Sequence, residues 1–173
     1  MNEKIEQYVR NHGRDFMEWL YDIISIPSPT GDEQAKGEWI LNLLHQWGAA
    51  GAYRDAAGNV VYPCHVKSGE KVALYTAHID TVFQDLQEIH IRQTGHILSA
   101  PSCSDNSASI AGLLFIIKMF HDLQLTPPQG LLFAFDVGEE GLGNLKGMRQ
   151  VMADWHGRIA EVVAVDCTFD AFV

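Results

Sequence analysis

The hydrophobic positions divide the chain into elements. Ile5, Val9, Phe16, Leu20, Ile23 and Ile24 recur at roughly helical spacing and stop at Ile26-Pro27-Ser28-Pro29, where proline cannot continue a helix. One opening helix is predicted. Thr30-Gly31-Asp32-Glu33 then gives a helix-start signal, and Trp39, Ile40, Leu43, Leu44 and Trp47 fall on one face of a second helix that ends by Gly48 and Gly51. Turn residues at 55–59, flanked by the strand-like AYR and VVYP, predict a hairpin.

From residue 72 strands alternate with helices. Val72 to Ala77 reads as a buried strand, Ile89 to Arg92 and His96 to Leu98 as short strands around Gly95, and Ser107 to His121 as a helix apolar almost all round. Its small residues Ala108, Ser109, Ala111 and Gly112 allow close approach to a sheet, so it is predicted to be the central, buried helix. Leu131 to Val137 is a second buried strand, Leu142 to Trp155 a further helix, and Glu161 to Asp166 a third strand. The strands are near-continuously apolar rather than alternating. That pattern predicts an α/β fold, a three-layer helix-sheet-helix domain around a mostly parallel, mixed sheet.

Composition narrows the function classes. A chain of 173 residues is one domain's worth, and 47% hydrophobic with 20% charged residues fits neither disorder nor a coiled coil. Twelve Lys plus Arg against 22 Asp plus Glu leave a net charge of −10, which repels phosphate backbones and anionic lipid heads. Nucleic acid and membrane surfaces are therefore not expected partners. No apolar run approaches the roughly 18 residues of a bilayer span, and the charged amino terminus lacks the apolar stretch of a secretory signal. Cys64, Cys103 and Cys167 stand at no metal-ligand spacing, so buried, reduced thiols and a cytoplasmic location are expected, with no structural disulfide.

Ligands in open α/β sheets bind beyond the carboxyl ends of the parallel strands. Here those positions are acidic: His78-Ile79-Asp80-Thr81, Ser104-Asp105-Asn106, Gly138-Glu139-Glu140-Gly141 and Asp166. Singly each has a plain reading. A histidine after a strand is usually a core or surface residue, Asp105 is a serviceable helix N-cap, and Glu139-Glu140 makes a solvated acidic turn. Together, at equivalent ends of successive elements, they crowd one imidazole and five carboxylates onto one rim, which repels itself unless cations neutralise it. Nitrogen and oxygen donors in this mix suit zinc, cobalt or manganese.

The strings Ile26-Pro27-Ser28-Pro29-Thr30-Gly31-Asp32-Glu33, Ala77-His78-Ile79-Asp80-Thr81-Val82, Ser104-Asp105-Asn106, Val137 to Gly143, and Val165-Asp166 closely resemble the cocatalytic-zinc family of peptidase T, aminoacylase, acetylornithine deacetylase and glutamate carboxypeptidase. The resemblance implies that His78 and Asp166 hold one Zn2+, that Glu140 holds another, and that Asp105 bridges the two. It further implies that Asp80 orients the imidazole of His78 and that Glu139 is the general base. A bridging carboxylate suits two metals about 3.5–4 Å apart that polarise a scissile carbonyl and acidify a water, while the base must stay free of the metals. Metal-dependent hydrolysis of amide bonds is thus expected, in an exopeptidase of the aminopeptidase or di/tripeptidase kind acting on small peptides. An N-acyl amino acid deacylase and a non-catalytic metal-binding relic are the alternatives.

The family's last ligand is a histidine far downstream, beyond a lid and dimerisation domain, whereas the last histidine here is His156. Residues 1–173 are therefore expected to be the front of a catalytic domain, truncated before the lid, with about one tightly held divalent ion and low or no turnover. A homodimer is open to the full-length protein. Gly141-Leu142-Gly143-Asn144-Leu145-Lys146-Gly147 has the wrong glycine spacing for a dinucleotide loop, and no G-x-S-x-G elbow occurs. Trp19, Trp39, Trp47 and Trp155 read as packing residues.

Overall fold

The computed structural model describes residues 3–85 and 88–167. The chain runs α1 (Glu3–Asn11), α2 (Gly13–Ser25), α3 (Gln34–Gln46), β1 (Tyr53–Arg54), β2 (Val60–Cys64), β3 (Val72–His78), β4 (Arg92–Thr94), β5 (Ile97–Ser99), α4 (Ala108–Asp122), β6 (Gly130–Asp136), α5 (Lys146–Asp154) and β7 (Ile159–Ala164). Five strands form one sheet in the order β1-β2-β6-β3-β7. β6, β3 and β7 are parallel, and β2 and β1 are added antiparallel at one edge. This is the expected mostly parallel, mixed sheet. The β4–β5 ribbon lies outside it.

Strand geometry explains the continuous apolar runs. Side chains alternate across a sheet, so Leu131, Phe133 and Phe135 of β6 face one layer while Leu132 and Ala134 face the other. The first layer packs Ile23 and Ile24 of α2, Ile40 and Leu44 of α3, and Ile110, Leu113 and Leu114 of α4 against the sheet. The second packs Val151 of α5 and Trp155 against Val61, Val72, Leu74 and Leu132. Both faces are covered, so both parities must be apolar. α4 is the buried helix expected.

The structure corrects several boundaries. The expected opening helix is two, interrupted at His12, which has non-helical backbone angles. Tyr8 of α1 donates to Asp122 Oδ2 at 2.7 Å and is drawn to the end of α4, while α2 turns Leu20, Ile23 and Ile24 into the core. The helix expected from Leu142 begins only at Lys146, because Asn144 and Leu145 both take left-handed angles with φ 53°. Only a short 3-10 turn, Gly141–Gly143, precedes them. The short strands fall one to three residues later than the pattern suggested. Of the thiols, only Cys64 is buried; Cys103 and Cys167 are half-exposed.

Candidate metal centre

β3 ends at His78, and the chain beyond it is pinned. Ile79 N–H donates to Asp136 O at 2.8 Å, Ser28 Oγ to Ile79 O at 2.7 Å, and Thr81 N–H to Ser28 O at 3.0 Å. The proline-rich Ile26–Pro29 string, which cannot be helix, thereby becomes the clamp on the strand end. It also delivers the Thr30 hydroxyl to Asp80 Oδ2 at 2.9 Å.

Asp80 is 2% exposed and spends its carboxylate on the acidic turn: Oδ1 accepts from Glu139 N–H and Oδ2 from Glu140 N–H, each at 3.0 Å. Burial would raise its pKa, but the neighbouring His78, these backbone donors and Thr30 outweigh it and hold Asp80 below the ordinary carboxylate range. The expected contact to the imidazole is modified. His78 Nδ1 lies 3.1 Å from the backbone oxygen of Asp80 and 3.5 Å from its carboxylate, so the backbone is the hydrogen-bond acceptor and the carboxylate acts on the ring as a charge. This leaves Nε2 turned to the rim.

There Nε2 stands 3.0 Å from Asp105 Oδ1 and 3.7 Å from Asp166 Oδ1. Ligand atoms of His78, Asp105 and Asp166 all lie within 4.8 Å of one another, and so do those of His78, Glu139 and Glu140. Every sequence-predicted site residue is thus gathered at one end of the sheet. Asp166 follows β7 and the glutamates follow β6, as expected. Asp105 differs: it arrives from the turn before α4, not from a strand of the main sheet, and its peptide to Asn106 is cis.

Without a cation this rim is electrostatically strained. Burial would depress the His78 pKa, yet Asp80, Asp166 and Glu139 raise it to about 9. Glu140 is pushed up by burial and by Asp105. One imidazole nitrogen and converging carboxylate oxygens within a few ångströms fit a small divalent ion.

Sequence reading missed several participants. Asp136, the last residue of β6, is 2% exposed, accepts the Thr76 hydroxyl, and is raised by burial to about 6. Asn59 is fully buried: Oδ1 accepts from Val137 N–H at 2.9 Å, and Nδ2 donates to Gly147 O at 2.9 Å and Asp55 Oδ2 at 2.6 Å. Lys36, 2% exposed, is lowered by burial to about 8 although the charge of Asp80 pulls the other way. Asp136 was hidden inside an apolar strand and Asn59 inside an ordinary turn, so neither carried a motif.

The fold and rim define a three-layer α/β protein with a candidate metal centre where its parallel strands end. The family model for Peptidase family M20/M25/M40 matches residues 74–173, and the chain belongs to that family. A Pyrococcus abyssi protein named as a LysW-lysine/LysW-ornithine hydrolase is 32% identical over 134 residues, covering 77% of this chain and 35% of that protein. Human carnosine dipeptidase 1 superposes with a TM-score of 0.75 at 14% identity, covering 98% of this chain and 42% of its own. A Staphylococcus aureus tripeptidase does so with 0.70 at 20% identity, covering 90% and 43%. These structural likenesses concern the fold. The chain spans about a third of the length of the curated relatives it matches.

Proposed function

We propose that the chain carries the front of the catalytic domain of a metal-dependent amide hydrolase, with His78, Asp105 and Asp166 holding one divalent ion and Glu140, with Asp105 as bridge, serving a second. The observation that carries this reading is the convergence of His78, Asp105 and Asp166 ligand atoms within 4.8 Å. Zinc is the first candidate, with cobalt and manganese as substitutes, because the donors are nitrogen and oxygen. When bound, the ions supply Lewis acidity toward a scissile carbonyl.

The protein's own groups divide the remaining work. Asp105 and Asp166 would supply the negative charge that holds a divalent ion together with His78, and the backbone oxygen of Asp80 fixes the imidazole through Nδ1, leaving Nε2 free to be a ligand. The Asp80 carboxylate holds both amides of the Glu139–Glu140 turn, which lets adjacent side chains take different tasks. Glu139 is the proton carrier, taking a proton from the attacking water and returning it to the leaving amine. Small peptides are the proposed substrates, and N-acyl amino acids the alternative. A lid and a further ligand are assigned to sequence outside these residues, a reading supported by coverage of 35% of the Pyrococcus protein.

Zinc binding paired with hydrolysis tests the assignment. E139Q should bind zinc as wild type does while losing whatever dipeptide or N-acetyl amino acid turnover wild type shows, and H78A should lose the zinc. Turnover that persists in E139Q, or in wild type after chelation, contradicts the assignment.

A further inference from the structure

A cavity of about 130 Å³ lies among the ends of β3, β6 and β7, with Met148 of α5 on its wall. His78, Glu139 and Asp166 border it where it meets the rim, and they belong to the centre already described. Thr76, Asn106 and Asp136 border it too, and none of them has a part in that centre. All three are buried.

Hydrogen bonds tie these three together. The Thr76 hydroxyl donates to Asp136 Oδ1, Val165 N–H donates to Thr76 O at 2.8 Å, and Asn106 Nδ2 donates to Val165 O at 3.0 Å. Oxygen is what remains. Among the described residues Asn106, 2% exposed, leaves Oδ1 with no hydrogen-bond partner, and Asp136, also 2% exposed, stands in no ion pair. The Thr76 hydrogen is directed at Asp136, so the lone pairs of its oxygen are free. An unpaired buried oxygen and a buried carboxylate without a counterion both cost free energy unless something fills the space between them.

The chemistry of the wall names what fits. Oxygen acceptors with no free donor suit a hard cation rather than an anion or an apolar molecule. One carboxylate with two neutral oxygens carries a single negative charge, which a monovalent ion balances, whereas a divalent ion would leave positive charge buried and uncompensated. The volume admits such an ion with a few waters. We propose that Asp136, Asn106 and Thr76 hold a hydrated alkali cation in this cavity, a further cation site set behind the divalent one. The inference stands apart from the hydrolase reading, since none of the three is a metal ligand or a base in it. The ion would join β3 to β6 and, through Asn106, to the turn that carries Asp105.

Melting of the chain, stripped of divalent ions, tests this at pH 8, where Asp136 is ionised. Potassium chloride, or sodium chloride in a parallel series, replaces tetramethylammonium chloride at constant ionic strength, because the methyl groups of that cation keep oxygen ligands away from its charge. The melting temperature of wild type should rise saturably by about 3 °C or more with at least one of the two salts. D136N, which keeps an acceptor for the Thr76 hydroxyl but loses the charge, should melt higher than wild type without alkali ions and gain nothing from them. N106A should need about tenfold more salt, or greater, for half the rise. No saturable rise in wild type with either salt overturns the inference, the cavity then holding water alone. A rise undiminished in folded D136N would put the ion among the rim carboxylates and overturns it equally.

Discussion

His78 faces different demands at its two ring nitrogens. Nδ1 is held by the Asp80 backbone, and Nε2 faces a set of carboxylates that in the metal-free chain favour a proton on the ring. The ring's pKa is about 9 in the folded protein against an ordinary 6.5. A raised folded-state pKa contributes stability that is fully present below 6.5 and lost as pH rises through 9. The melting temperature of the metal-free protein should therefore decline across that interval, and H78Q should flatten the decline. Zinc must displace the same proton, so its apparent affinity should climb with pH by up to about tenfold per pH unit in this range. An affinity flat from pH 6.5 to 8.5 would mean that Nε2 is not a ligand.

Asp136 makes a separate claim at this scale. Its carboxyl, pushed by burial from 3.8 to about 6, stabilises the fold below pH 3.8, and that contribution is lost as pH rises through 6. Asparagine carries no such charge yet can still accept the Thr76 hydroxyl. D136N should thus be more stable than wild type at pH 8, by on the order of 1–3 kcal/mol in denaturant melts, with the difference vanishing near pH 4.

At the scale of elements, the acidic turn is positioned from two sides. Asp80 holds the amides of Glu139 and Glu140, and Asn59 reaches from the β1–β2 hairpin to Val137 and Gly147. Gly147 admits no side chain: a Cβ there would sit 2.6 Å from Val137 N and O and closer still to the Asn59 oxygen. G147A should cost about 3 kcal/mol or more, and N59A about 2–4 kcal/mol through unsatisfied buried groups, both measurable by chemical denaturation. N59A should also weaken zinc binding, because the turn that carries Glu140 loses one anchor. Elements with strong periodicity were legible: β3, β6 and α4 lie within a residue or two of their expected bounds. The break at His12 and the late start of α5 were not. Those depend on where Tyr8 is drawn and on left-handed angles at Asn144 and Leu145, which no apolar period encodes.

For the molecule as a whole, the acidic strand ends and the α/β alternation sufficed to predict one rim, because parallel strands must deliver their carboxyl ends to the same edge. The convergence of His78, Asp105, Glu139, Glu140 and Asp166 was legible in the sequence, yet the contacts that surround them were not. Thr30, Asn59 and Asp136 act through contacts 50 to 78 positions away in sequence, to Asp80, Val137 and Thr76. An ion that binds only the folded chain raises its stability by mass action, so added zinc should lift the melting temperature and chelator should reverse it by several degrees.

The most direct test is a calorimetric zinc titration of the metal-free chain beside H78A and D105N, with circular dichroism to verify folding. One tight site per wild-type chain, lost in folded H78A and strongly weakened in D105N, is the predicted result. Wild type that takes up no zinc, or folded variants that bind as tightly as wild type, would contradict the metal centre described above.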